Sequence, residues 1–209
     1  MRIGPKYKIA RRLGAKIFPK TQTTKFSISG SDRKMTGGRG KGGGGRPRNV
    51  SEYGLQLIEK QKARFSYGLK ERQIAAYVAK ARHKTGDPSV NIFKSLETRL
   101  DNVVFRLGLA TSRAFARQLV THGHIVVNGR RLNVPSHQVK IGDTVAVRPQ
   151  SQSRTVFQNL EERLKDHQLS AWLRFDPAKK SGEIVAEPLA SEMPPDINLS
   201  AILEFYSRV

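Results

Sequence analysis

Apolar residues at Leu96, Leu100, Val103, Val104 and Leu107 recur at the 3.6-residue offsets of one buried helical face. The pattern predicts one long helix from near Ser89 to Gly108, after the break at Gly86-Asp87-Pro88. Gly108 stands where a left-handed C-terminal residue is wanted. Thr111 or Ser112 can cap a following helix by accepting a backbone N–H. That helix places Ala114, Phe115, Leu119 and Val120 inward and ends near Gly123. The β-branched run Ile125-Val126-Val127 then leads into Asn128-Gly129, a pair that tolerates the positive φ angles of a tight hairpin. Leu132 to Val134 would return, and Thr144 to Arg148 would add a strand after Gly142-Asp143.

Upstream, residues 4–14 read as a short helix with Pro5 in its first turn. Ser51 begins a helix carrying Leu55, Ile58, Lys62 and Phe65 up to Gly68, and a second carries Ile74, Tyr77, Val78 and Ala81. Downstream, Val156, Leu160 and Leu164 mark a helix with Glu161, Glu162, Arg163 and Lys165 on its wet face. Trp172 to Phe175 and Glu183 to Glu187 read as short strands, and Leu199 to Tyr206, beyond Pro194-Pro195, is apolar enough to dock. The fold class is therefore α+β: a mostly helical N-terminal body plus a small helix-helix-hairpin module. The expected divisions are a basic, Gly-rich extension at 1–49, a helical body at 50–95, the module at 96–150, and a segment at 151–209 that packs on and completes the body.

Charge gives this architecture a partner. The 209 residues carry 38 Lys and Arg against 17 Asp and Glu, a net charge of +21. Such an excess repels itself, and a polyanion relieves it, with nucleic acid the first candidate and an anionic membrane the second. The excess is uneven, at +13 for residues 1–49, +5 for 50–95, +5 for 96–149 and −2 for 150–209. The polyanion is expected on the first three quarters. The acidic quarter, with Glu183, Glu187, Glu192 and Asp196, is expected to face protein. No apolar run approaches a membrane span, and the basic N-terminus lacks the apolar stretch of a secretory signal. There is no cysteine, which excludes disulfides and thiolate metal sites.

Candidate chemistry follows from these residues. Arg99, Arg106, Arg113, Arg117, Arg130, Arg131 and Lys140 have only Glu97 and Asp101 as acidic neighbours in the helical stretch, so they are read as mostly unpaired. Arginine engages phosphate oxygens bidentately, and RNA contact is preferred here to an ordinary solvated face. Residues 36–48 interleave Arg39, Lys41, Arg46 and Arg48 with glycine, which lets backbone approach RNA closely. Lacking apolar anchors, this tract is expected to order only on its partner. His122 and His124 have no third ligand, so a structural or RNA-stacking role is preferred to metal. Phe65, Tyr67 and Tyr77 are read as core rather than base platforms, and Trp172 as the anchor of the C-terminal segment. Arg99-Leu100-Asp101 resembles the catalytic motif of pseudouridine synthases, but it lies inside a helical apolar stripe, and no domain of catalytic size follows residue 150. No catalytic residue, metal or cofactor is expected. An RNA-modifying or tRNA-charging enzyme bearing the same module, and a nonspecific histone-like binder, are the rival readings.

Several segments resemble one family. Arg99-Leu100-Asp101-Asn102-Val103-Val104, Ser112-Arg113-Ala114, Ala116-Arg117-Gln118-Leu119-Val120 and His122-Gly123-His124-Ile125-Val126-Val127-Asn128-Gly129 are similar to the S-four family of small-subunit ribosomal proteins, of bacterial or organellar type. So are Gly4-Pro5-Lys6, Arg11-Arg12, Ser51 to Leu57, Glu59-Lys60-Gln61-Lys62, Glu71-Arg72-Gln73 and the ending Glu204 to Arg208. The resemblance implies an RNA-binding module of the S-four type and a protein that binds 16S-type rRNA early in assembly of the small subunit. It implies that the body of the subunit is organised around the protein, beside the channel by which mRNA enters. Ribosomal proteins S-three and S-five would be neighbours, in a cytoplasmic or organellar ribosome, and translational accuracy would be affected. It adds Arg2, Lys6, Lys8, Arg11, Arg12, Lys60, Lys62 and Arg72 to the expected RNA-binding set. Many relatives hold zinc through N-terminal cysteines, but Tyr7 and Ala10 stand at two of those positions.

Overall fold

The computed structural model describes residues 4–28, 51–158, 160, 164, 167–177 and 179–208. Its helices are α1 (Lys6–Leu13), α2 (Glu52–Ser66), α3 (Glu71–Arg82), α4 (Pro88–Glu97), α5 (Leu100–Arg106), α6 (Arg113–Thr121), α7 (Thr155–Gln158) and α8 (Leu199–Ser207). Its strands are β1 (Ile125–Val127), β2 (Arg130–Arg131), β3 (Thr144–Val147), β4 (Leu173–Asp176) and β5 (Ser181–Ile184). The α+β class is as expected. Among the described residues, no helix is long and apolar enough to cross a membrane.

Two compact units divide the chain, one holding residues up to Val78 together with those from Pro194, the other Ala79–Met193. In the first unit, Ser51 caps α2 by accepting from the Gly54 N–H at 3.3 Å. The face of α2 that is buried carries Gln56, Lys60 and Ala63, whereas Leu55, expected inward, is exposed. The reason is α8, whose Leu199, Ile202 and Phe205 are buried and whose polar groups reach α2. Gln56 Nε2 donates to Glu204 Oε2 at 3.0 Å, and Lys60 Nζ lies 4.0 Å from the centre of the Phe205 ring. Near the N-terminus, wholly buried Ala10 packs with Phe18 and Phe26, and the Tyr7 ring lies 5.4 Å from that of Phe26. These positions supply apolar packing instead of metal ligands, so the zinc of the relatives does not fit them.

The second unit departs from the expected single long helix. The chain turns extended at Arg99 (φ −67°, ψ 137°), which separates α4 from α5. Residues 135–139 cause the break by supplying other backbone partners: the Leu100 N–H donates to the His137 carbonyl at 2.8 Å, and the Val139 N–H to that of Thr98 at 2.9 Å. Ser112, rather than Thr111, caps α6, and Ala116 rather than Ala114 joins Leu119 and Val120 in the core. The hairpin turns at Asn128 (φ 49°) and Gly129 (φ 75°), and it returns through Arg130 and Arg131 rather than Leu132 to Val134.

The sheet is antiparallel, in the order β2-β1-β3-β5-β4, with Val127 opposite Val145 and Val145 opposite Gly182. Strands β4 and β5 thus extend the module's sheet, whereas the sequence pattern places them in the segment that packs on the body. Phe157, Leu160, Trp172 and Ile184 are buried in one core with Leu100, Val104, Leu119 and Val145. Trp172, expected to anchor the C-terminal segment, holds Phe157, Leu160, Leu173 and Ile184 of that segment in this core. Of the expected wet face of the helix after Val156, Glu161, Glu162, Arg163 and Lys165 lie outside the described residues.

Gly182 lets β5 lie directly on α5, since a Cβ there would stand 2.3 Å from Leu107 Cδ2 and 2.6 Å from Cδ1. Leu107 is wholly buried. Gly182→Ala is therefore expected to cost about 1–3 kcal/mol by overpacking. Thermal melting followed by fluorescence of Trp172, the single tryptophan, reads this directly. Gly182→Ala combined with Leu107→Ala should cost less than the sum of the two single losses, because the clash is gone; an unshifted single variant would refute the packing.

Candidate nucleic-acid interface

The arginines of α5 and α6 are organised by two acids. Glu97, the last residue of α4, is wholly buried. Its Oε2 accepts from Arg106 Nε at 2.8 Å and from Asn102 Nδ2 at 2.8 Å, and its Oε1 from Arg106 Nη2 at 3.1 Å. Arg113 Nη2 lies 3.9 Å from the same carboxylate. Asn102 Oδ1 takes the Arg113 Nε–H at 2.6 Å, and the Arg113 guanidinium stands 4.8 Å over the Phe105 ring. Asp101, 4% exposed, accepts from Arg99 Nε at 3.0 Å and Nη2 at 2.7 Å, with Arg117 Nη1 at 3.8 Å.

Two expectations are corrected by this arrangement. These arginines are not mostly unpaired: each has an acidic partner. Arg99 is not a surface residue. It is wholly buried and acts as the internal counter-ion of Asp101, which is tenable because a buried carboxylate needs charge and hydrogen bonds in compensation. The side chains of Arg106, Arg113 and Arg117 remain 25%, 20% and 34% exposed, so they reach solvent from a fixed base.

At the hairpin, Arg130 and Arg131 are exposed. The Arg131 guanidinium lies against Gly123, where a Cβ would come within 2.1 Å of its Nε. His122 is exposed and its ring is 6.1 Å from that of His124. Burial first, then the charges of Arg154, His122, Arg131 and Arg148, hold His124 below the ordinary imidazole value. Its Nδ1 contacts Ser151 Oγ at 3.0 Å, and its carbonyl takes the Arg148 N–H at 2.8 Å. Arg148 and Arg154 join this positive cluster although the sequence pattern does not single them out. The available signal was Arg148 at the end of the strand paired with β1. Lys140 is exposed beside Asp143, whose carboxyl sits below its usual range. Burial opposes that shift, but hydrogen bonds from the Lys140 backbone and Asn128 outweigh it.

In the first unit, Lys8, Arg11, Arg12 and Arg72 are exposed and Lys6 is half-exposed. Lys60 is a third correction: it is buried, ion-paired with Glu71 at 2.8 Å and stacked on Phe205, because α8 covers it. Lys62 leans on Glu59 at 2.7 Å with 16% of its side chain exposed. Glu71 lies below the usual carboxylate range: burial raises it, but the hydrogen bonds from Lys60 and Tyr206 and the Lys60 charge prevail. Arg2, Arg39, Lys41, Arg46 and Arg48 lie outside the described residues. Of the acidic quarter, Glu187 pairs with Lys94 and Glu192 accepts the Ala171 N–H at 3.0 Å, while Glu183 and Asp196 are exposed.

Comparison with known proteins follows this division of labour. Residues 1–97 match the model of the ribosomal protein S4/S9 N-terminal domain, and residues 98–145 match the S4 domain. The chain is 50% identical over 208 residues to the small ribosomal subunit protein uS4 of Roseiflexus castenholzii, covering 99% of this chain and 98% of that one. It is 46% identical to the uS4 protein of Chloroflexus aurantiacus over 99% of this chain and 98% of that one, and 44% identical to that of Geobacillus stearothermophilus over 98% of each.

Proposed function

This chain belongs to the uS4 family of small ribosomal subunit proteins, and from that premise we propose that it is a structural, non-catalytic constituent of the bacterial small subunit. It binds 16S-type rRNA early and nucleates assembly of the body of the subunit. The observation that carries the reading is the row of half-exposed, acid-anchored arginines on α5 and α6, inside the segment that matches the S4 domain. A-form helices hide base edges in a deep groove, so docking by shape and phosphate contact suits rigid guanidiniums better than base readout does. His122, Arg130, Arg131 and Lys140 extend the contact along the hairpin, with Lys6, Lys8, Arg11, Arg12 and Arg72 contributing from the first unit. The basic extension, with Arg39, Lys41, Arg46 and Arg48, adds charge where glycine permits close approach. A place beside the channel by which mRNA enters, with ribosomal proteins S-three and S-five as neighbours, completes the proposal, and translational accuracy depends on it. Exposed Glu183 and Asp196 suit a basic protein neighbour, since complementary charge sets register more than affinity.

The test is Arg113→Ala with Arg117→Ala. Binding to small-subunit rRNA should weaken at least tenfold, each lost charge-assisted contact being worth about 1.5–3 kcal/mol. Both side chains are partly buried and paired, so the double variant is also expected to lose about 1 kcal/mol of stability. Unchanged affinity of the folded double variant, measured by filter binding, would remove α6 from the interface.

A further inference from the structure

A wholly buried carboxylate beneath an RNA-binding face runs against simple electrostatics. It subtracts charge from a surface that meets a polyanion, and it sits at the C-terminal end of α4, where the helix dipole disfavours an anion. On the reading that this module binds rRNA, we propose that Glu97 and Asn102 are positioning residues that fix the guanidinium planes of Arg106 and Arg113 before RNA arrives, with the Asp101 charge holding Arg117 nearby.

The hydrogen-bond order supports this. Glu97 accepts only, so Asn102 must turn its Nδ2 towards it. That orientation leaves Asn102 Oδ1 facing Arg113 Nε, 2.6 Å away. The carboxylate thereby sets the Arg113 plane through an amide relay and sets the Arg106 plane directly through two bonds. Phe105 supports the Arg113 plane from below. Asp101 is already neutralised by Arg99, and it adds a charge contact to Arg117 at 3.8 Å at little further cost in charge. A fork meets a phosphate bidentately only in the right plane, and a plane fixed during folding need not be ordered at binding. The fixed array trades some net charge for preorganisation.

The two effects have opposite signs in one substitution. Glu97→Gln adds a positive charge to the full-length chain. Charge alone predicts tighter binding to a transcript of small-subunit rRNA, whereas positioning predicts binding about tenfold weaker. Glu183→Gln, exposed on β5 and outside the cluster, adds the same charge and serves as reference, with affinity equal to or above that of the unaltered chain. Arg113→Lys keeps charge but loses the planar fork. Because both variants disrupt one relay, Glu97→Gln with Arg113→Lys should bind no worse than the weaker single variant. Trp172 fluorescence gives the folded fraction to which each affinity is referred. Should Glu97→Gln not fold, Asn102→Ala replaces it in the same cycle. Binding of the Glu97 variant as tight as that of the Glu183 variant, or fully multiplicative losses in either cycle, would overturn the positioning proposal alone. Failure of the unaltered chain to prefer rRNA over an unrelated RNA duplex would overturn the RNA reading and this proposal with it.

Discussion

Arg99→Ala is expected to lower the unfolding free energy of the second unit by about 3–5 kcal/mol, the range for removing one partner of a buried ion pair. The side chain is wholly buried, grips Asp101 through Nε and Nη2, and stands where α4 gives way to α5. Its loss would leave the Asp101 carboxylate inside the fold with Arg117, 3.8 Å away, as the remaining cation nearby. Arg99→Ala with Asp101→Ala should cost clearly less than the two single losses together, because the stranded charge is gone. Urea unfolding followed by Trp172 fluorescence measures both. A single-variant loss below about 1 kcal/mol, the value of an exposed pair, would show that the pair is not the internal support described here.

The second large effect is on salt. If the chain neutralises about six to ten rRNA phosphates, log K should fall against log salt with a slope of roughly −5 to −9, and affinity should drop about 10³–10⁵-fold between about 50 and 200 mM. The motive is the charge: residues 1–149 carry 31 basic residues and eight acidic ones. A flat response would refute an interface of phosphate contacts. The Arg99 and Lys60 corrections sharpen the expectation, because neither buried cation should alter the slope when neutralised, whereas exposed Arg130 and Arg131 should each flatten it by about one unit.

Much of the fold was legible from periodicity and turn chemistry. The hairpin at Asn128-Gly129, the cap at Ser112 and the docking of Leu199 to Tyr206 are local signals written within a few residues. Three features were not legible, each for a non-local reason. The break at Arg99 depends on backbone partners at Pro135–Val139, which no local pattern reveals. The polar face of α2 is buried because α8, some 140 residues away, brings a carboxylate and an aromatic ring to Gln56 and Lys60. The strands after Trp172 join the module because β5 pairs with β3, and an isolated strand does not encode its neighbour.

The site followed the same rule. Basic residues were easy to find, but which of them are spent inside the protein was not. Counting Glu97 and Asp101 as two acids among many arginines suggested free charge. Their burial lets these two acids engage Arg99, Arg106, Arg113 and Arg117 together with Asn102.

The central claim is that this chain is an rRNA-bound constituent of the small subunit. Crosslinking it to RNA in growing cells and sequencing the attached fragments tests that most directly. The account predicts reads concentrated at a few sites on small-subunit rRNA, with Arg113→Ala and Arg117→Ala depleting the sites nearest α6. Reads spread over unrelated transcripts in proportion to their abundance, with no enrichment of small-subunit rRNA, would contradict it.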